Sequence, residues 1–134
     1  MTWYKVLLPL VIVVALVVIG ILYVQKSAPL FTIETISSTC MAEKHELDIR
    51  SEGNSIVITA PLQTPNPCYS AVGDVKFSGK DIDVDLSAVS KQDVCIQCIG
   101  EVTGKVVIQN LTKGTYEVKV KTLDKAAITT IMVE

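Results

Sequence analysis

The sequence is poor in histidine and lacks the motifs in which catalytic residues usually converge. A single histidine, His45, serves all 134 residues, and no serine or cysteine stands near it in a triad-like arrangement. There is no glycine-rich phosphate loop. There is no basic excess either: from Ser27 onward 14 acidic residues stand against 10 basic ones. Without a cationic stripe to neutralise phosphates, nucleic-acid binding is excluded. A prepilin processing signal is also missing, because no Gly or Ala follows Lys5 and no glutamate opens the apolar run. These absences describe a protein without a convergent catalytic set, and the expectation is no enzyme, no cofactor and no metal.

What is abundant is apolar residues, and they are unevenly placed. The chain is 49% hydrophobic, and 20 of its apolar residues fall within 1–26. Val6–Val24 carries no charge over 19 residues and is interrupted only by Pro9 and Gly20. As a helix it would span roughly 28 Å, close to the hydrocarbon thickness of a bilayer. Trp3, Tyr4 and Tyr23 flank it, where amphipathic rings favour the interface. Cleavage as a signal peptide is disfavoured: a cut after Ala28 would put Lys26 at the −3 position and Pro29 just behind the cut. Cys40 lies too far beyond the run for a lipoprotein. Residues 1–26 are therefore expected to be an uncleaved anchor, residues 6–24 meeting the lipid bilayer, with 27–39 a juxtamembrane segment or first strand. Lys5 and Lys26 balance one another, so the positive-inside rule alone does not orient it.

From Phe31 onward short apolar runs alternate at period two, and no 3.6-residue period is sustained. Leu47 and Ile49 alternate with charged residues, and Glu52-Gly53-Asn54 turns the chain back into Ser55–Ala60 as a hairpin. Pro61 to Pro67 holds three prolines and reads as a rigid loop, not a central strand. Val72–Phe77 and Ile82–Leu86 flank a second turn, Ser78-Gly79-Lys80. Val94–Val102 and Lys105–Leu111 flank Thr103-Gly104, read as a third turn. Tyr116, Val118 and Val120 form another strand, and Ile128–Val133 closes the chain. About eight strands with such spacing predict a sandwich or a small barrel for 40–134.

Leu111-Thr112-Lys113-Gly114-Thr115-Tyr116, followed by alternating Glu-Val-Lys-Val, favours the sandwich. It resembles the L-x-x-G-T-Y-x-V-x-V start of a penultimate strand in extracellular immunoglobulin-like and fibronectin-like domains. In that structural corner Gly114 would make the turn, Leu111 would plug the end of the core, and the Tyr116 hydroxyl would tie back to backbone. The fold class expected is all-β, an immunoglobulin-like β-sandwich preceded by one N-terminal transmembrane helix.

Cys40, Cys68, Cys95 and Cys98 allow three disulfide pairings. In an extended Val94–Ile99 strand the Cα atoms of Cys95 and Cys98 would lie about 10 Å apart, beyond the ~7 Å a disulfide tolerates. Their side chains would also point to opposite faces. Nothing after Cys98 begins a helix that would depress a thiol pKa, which disfavours a redox dithiol. Cys40 and Cys68 are too far apart in sequence to form the second knuckle of a zinc site. Two structural bridges follow, in which Cys95 and Cys98 reach different partners. Such bridges persist in an oxidising compartment, which puts the domain outside the cytoplasm and the N-terminus inside.

Cys40, Thr64-Pro65-Asn66-Pro67-Cys68-Tyr69-Ser70-Ala71 and Cys95-Ile-Gln-Cys98-Ile-Gly-Glu-Val102 together resemble a group of uncharacterised archaeal secreted or membrane-anchored proteins. That group carries an upstream Cys, an N-P-C-[HY]-x-A segment and a C-x-x-C strand. Related bacterial sequences keep only the cysteines matching Cys68 and Cys95. The resemblance therefore implies a Cys68–Cys95 bridge and leaves Cys40 with Cys98. It implies no activity.

Three lesser features complete the reading. Asp81, Asp83 and Asp85 open like a calcium loop, but Leu86 and Gln92 occupy the positions where Gly and Glu are needed, so a solvated acidic face opposite Lys119 or Lys121 is expected. Asn110-Leu111-Thr112 is an N-glycosylation sequon. Phe31–Ser37 or Ile128–Glu134 could pair with another copy as an edge strand. The function expected is a membrane-anchored extracytoplasmic binding, adhesion or envelope-assembly module meeting a protein or glycan. The alternative is a membrane-tethered thiol redox or metal-binding protein using Cys95 and Cys98.

Overall fold

A computed structural model of the chain describes residues 11–19, 28–40, 45–91 and 94–134. Eight strands follow in order: β1 (Leu30–Cys40), β2 (Asp48–Glu52), β3 (Ser55–Thr64), β4 (Tyr69–Ser78), β5 (Asp81–Ser90), β6 (Gly100–Gln109), β7 (Gly114–Lys121) and β8 (Ala126–Val133). They form two four-stranded sheets, ordered β1-β6-β3-β2 and β4-β5-β7-β8. The domain is an all-β sandwich. It begins with β1, which covers most of the 27–39 stretch expected to be a juxtamembrane segment or first strand.

Two tight turns set the hairpins. Gly53 at φ 59° joins β2 to β3, and Gly79 at φ 63° joins β4 to β5. A left-handed residue at the first turn position matches the twist of the flanking strands, and glycine adopts it without steric cost. Alternation then fills the space between the sheets. Ile56, Ile58 and Leu62 of β3 and Val102, Val106 and Ile108 of β6 face Ile82, Val84 and Leu86 of β5 and Val118 and Val120 of β7, all at most 2% exposed. Each such side chain contributes about 1.5–3 kcal/mol when fully buried, before conformational entropy is set against it.

Three expectations need correction. Thr103-Gly104 is no turn: β6 runs unbroken through it, pairing with β1 on one side and β3 on the other. A β-carbon on Gly104 would come within 2.8 Å of the Ala71 methyl, so this glycine serves the close approach of the two sheets. Pro61 lies within β3, opposite Thr103. It is tolerated because β2 pairs only as far as Asp48↔Thr59, which leaves Pro61 on a local edge. Finally, residues 94–99 are loop, and β6 begins at Gly100.

β5 and β7 run parallel, from Asp81↔Glu117 to Asp85↔Lys121. Parallel neighbours need a crossover connection, and here the chain crosses to the other sheet as β6 before returning. Immunoglobulin domains are built from antiparallel sheets, so this connection is the sandwich's own. The sandwich also has two distinct poles. β1 starts at Leu30↔Gln109 and ends at Cys40↔Gly100, a run of roughly 33 Å at about 3.3 Å per residue. The chain comes in from its N-terminal segment at one pole, and Cys40 stands at the other.

Residues 11–19 are helical and exposed. Among the described residues no helix is long and apolar enough to cross a membrane. The rest of the 6–24 run lies outside the described residues.

Candidate functional site

The far pole is organised by the loop that carries the chain from β5 in one sheet to β6 in the other. Two disulfides hold it. Cys95 joins Cys68, just before β4, and Cys98 joins Cys40 at the end of β1, with Cα separations of 6.0 and 5.7 Å. The crossover loop is thereby bolted to both sheets in turn, and among the described residues no cysteine is free. Residues 94–99 are loop and not an extended strand, so chain position separates the partners: Cys95 lies nearer the β5 end and Cys98 nearer β6, and each meets the sheet its end of the loop adjoins.

The Asn66-Pro67-Cys68 segment forms the floor of this pole. Asn66 Oδ1 accepts from the Cys68 backbone N–H at 3.0 Å, and the Thr64 hydroxyl donates to the Asn66 carbonyl at 2.7 Å. Ser38 of β1 donates to the Pro67 carbonyl, and Lys91 N–H donates to the Cys68 carbonyl at 2.8 Å. The segment lies directly on Gly100, where a β-carbon would meet Asn66 and Pro67 backbone atoms at 2.4–2.6 Å. Asn66, Pro67 and this glycine are thus parts of one close-packed bend.

Held in this way, the loop presents its apolar side chains outward. Val94, Ile96 and Ile99 are 87%, 71% and 67% exposed. Single exposed aliphatics are ordinary on protein surfaces; here three fall within six residues of one loop tied down by two disulfides. Sequence reading assigned these residues to a strand because Val94, Ile96 and the flanking positions alternate. The only signal against it was the pair of cysteines, each needing a partner elsewhere.

The opposite pole carries the corner. Leu111 and Tyr116 are buried, and the Tyr116 hydroxyl donates to the Thr112 carbonyl at 2.8 Å. Gly114 has φ 146°, and a β-carbon there would meet Lys80 Nζ at 2.9 Å. Lys80 Nζ donates to the Tyr116 hydroxyl at 3.0 Å and to Thr112 Oγ1 at 3.0 Å. Burial pushes the Tyr116 phenol up, but the hydrogen bonds of Lys80 and Thr112 and the Lys80 charge outweigh it, leaving the group below its ordinary value. Asn110 precedes this corner, exposed and at φ 61°.

Sequence reading missed one pair entirely. Glu101 of β6 is buried, and its carboxylate lies 2.5 Å from His45 Nδ1. Both line a cleft of about 370 Å³ with Gln63, Asp124 and Lys125. The partners are 56 residues apart in the chain, so no local pattern announces them. Among the described residues no group of three or more His, Cys, Asp or Glu side chains is placed to hold a metal ion. The aspartates of β5 stand opposite β7 as Asp83↔Lys119 and Asp85↔Lys121. Glu117 holds the Lys119 ammonium above its ordinary value, by a hydrogen bond first and by its charge second.

The ORF11 beta-sandwich domain family matches residues 58–133, a range that starts within β3 and ends with β8. No curated protein and no solved structure matches the chain.

Proposed function

The chain belongs to the ORF11 beta-sandwich domain family, and for this sandwich we propose the role of a non-enzymatic binding or assembly module on the outer face of a membrane. The observation that carries this reading is the outward display of Val94, Ile96 and Ile99 on a loop bridged to both sheets. Bridging removes the ordering cost that a mobile loop would meet on binding. Aliphatic side chains suit an apolar patch on another protein better than they suit a glycan.

Placement supports the same reading. Residues 6–24 have the length and composition of a single membrane span. Two disulfides suit an oxidising compartment, which orients the N-terminus inward and the sandwich outward. The stapled loop lies at the pole away from the N-terminal segment, so an anchored domain would hold it clear of its own membrane. Asn110, exposed on such a domain, would be open to glycosylation. The competing redox or metal reading needs Cys95 and Cys98 to act together, whereas each has a separate partner. A likeness to immunoglobulin-like domains is proposed on the Leu111–Tyr116 corner alone, since the parallel β5–β7 pair departs from their antiparallel sheets.

The test is a photo-crosslinking amino acid at position 96 of the full chain in its native membrane, with position 76 on the β4 face as control. A discrete adduct from position 96 that disappears when Val94 and Ile99 are changed to serine is expected. No adduct from position 96, or the same pattern from both positions, would overturn the reading.

A further inference from the structure

Each sheet ends in two edge strands, and three of the four carry features that discourage further pairing. β1 holds Glu34 and a register break between Thr35 and Ser37, with Ile36 bulged out. β2 has only five residues, and Arg50 stands between Asp48 and Glu52 at 3.1 and 2.8 Å. β4 carries Asp74 and Lys76. β8 has none of these. Its eight residues, AAITTIMV, contain no charge, proline or glycine. Its register with β7 is unbroken from Gly114↔Val133 to Lys121↔Ala126. Among the described residues no strand pairs with its other edge. On its outer face Ile128 and Met132 are 67% and 65% exposed.

We propose that β8 is a self-association strand, which pairs antiparallel with β8 of a second copy about a two-fold axis through Thr130. Side chains directly opposite one another must share a face, and this register obeys that rule. Thr130 meets its own equivalent, and Ile128 meets Met132 of the second copy at both ends of the outer face. On the inner face Thr129 meets Ile131. The ladder is self-complementary in charge as well. Ala126 falls opposite Glu134, so Lys125 of each copy adjoins Glu134 of the other, while the eight residues between them bring no like charges together. The register one step away in parity, centred on Thr129, would set Ile128 against Thr130 and forfeit the Ile128–Met132 contact. An isologous pairing of this kind closes on itself. It joins two copies of the β4-β5-β7-β8 sheet into one of eight strands and covers an uncharged edge that would otherwise invite open-ended aggregation. It stands independently of what the 94–99 loop binds.

The experiment uses the full chain in a mild detergent, with single cysteines introduced as Thr130→Cys, Thr129→Cys and, on β7, Glu117→Cys. Mild oxidation is expected to give a covalent dimer with Thr130→Cys, and little with the other two. In sedimentation the unmodified chain is expected to dimerise, and Thr130→Lys to weaken the dimer at least about tenfold by setting two like charges opposite each other. Equal crosslinking at all three positions, or an unmodified chain that stays monomeric, overturns the proposal. Crosslinking through Thr129→Cys alone overturns the register and with it the Ile128–Met132 contact. Solubility and a circular dichroism spectrum matching the unmodified chain are expected of Thr130→Lys, which separates loss of pairing from loss of folding.

Discussion

Lys80 lies against Tyr116 in two ways at once: its Nζ is 4.1 Å from the ring centroid and 3.0 Å from the hydroxyl. The β4–β5 turn is thereby fastened to the start of β7, two elements 36 residues apart in sequence. Tyr116→Phe keeps the ring and removes the bond to the Thr112 carbonyl. It is expected to cost about 1–2 kcal/mol in urea denaturation. Lys80→Met removes the ammonium over the ring and is expected to cost less, about 0.5–1 kcal/mol.

The same corner makes a pH prediction. The Tyr116 phenol in the folded chain lies below its ordinary value, so the folded state holds this proton less tightly than the unfolded state. The resulting stabilisation is fully present above the unfolded value of about 10 and is lost as pH falls through the folded value. Ultraviolet titration should show a phenolate forming earlier than in free tyrosine, and Tyr116→Phe should remove that early step.

Gly100→Ala tests the floor of the opposite pole. The added β-carbon would fall 2.4–2.6 Å from backbone atoms of Asn66 and Pro67, which have little freedom to yield. An overpacking cost of about 1–3 kcal/mol is expected. Gly53→Ala meets nothing within 4 Å and suffers only from φ 59°. Its cost should be about 1 kcal/mol, reflecting a left-handed residue alone.

These glycines show what was legible in the sequence. Gly53 and Gly79 sit between alternating runs, and the hairpins they make were readable because turn and alternation agree. Gly104 has the same appearance in sequence, yet it lies inside β6, because what excludes a side chain there is Ala71 from the other sheet. Pro61 misled in a similar way, since the early end of β2 that accommodates it is a tertiary fact. Val94 and Ile96 read as strand residues because periodicity reports alternation and not the bridges that hold the segment out as loop. His45 and Glu101 were beyond any local reading.

The two bridges should contribute unequally. On the chain-entropy account, closing the 27-residue separation of Cys68 and Cys95 stabilises the fold by about 3.5 kcal/mol, and the 58-residue separation of Cys40 and Cys98 by about 4 kcal/mol. Replacing each pair by serine should lower the denaturation midpoint, more so for Cys40 and Cys98. Loss of either bridge should also increase hydrogen exchange across residues 94–99, since each anchors one end of the loop.

The central claim is that Cys95 and Cys98 are structural, each fastening the crossover loop to a different sheet in an oxidising compartment. Peptide mapping of the full chain isolated from its own cells, alkylated at once and digested without reduction, tests it most directly. The account predicts no alkylated cysteine and two linked peptides, Cys40 with Cys98 and Cys68 with Cys95. Four alkylated cysteines, or a bridge within Cys95-Ile-Gln-Cys98, would contradict it.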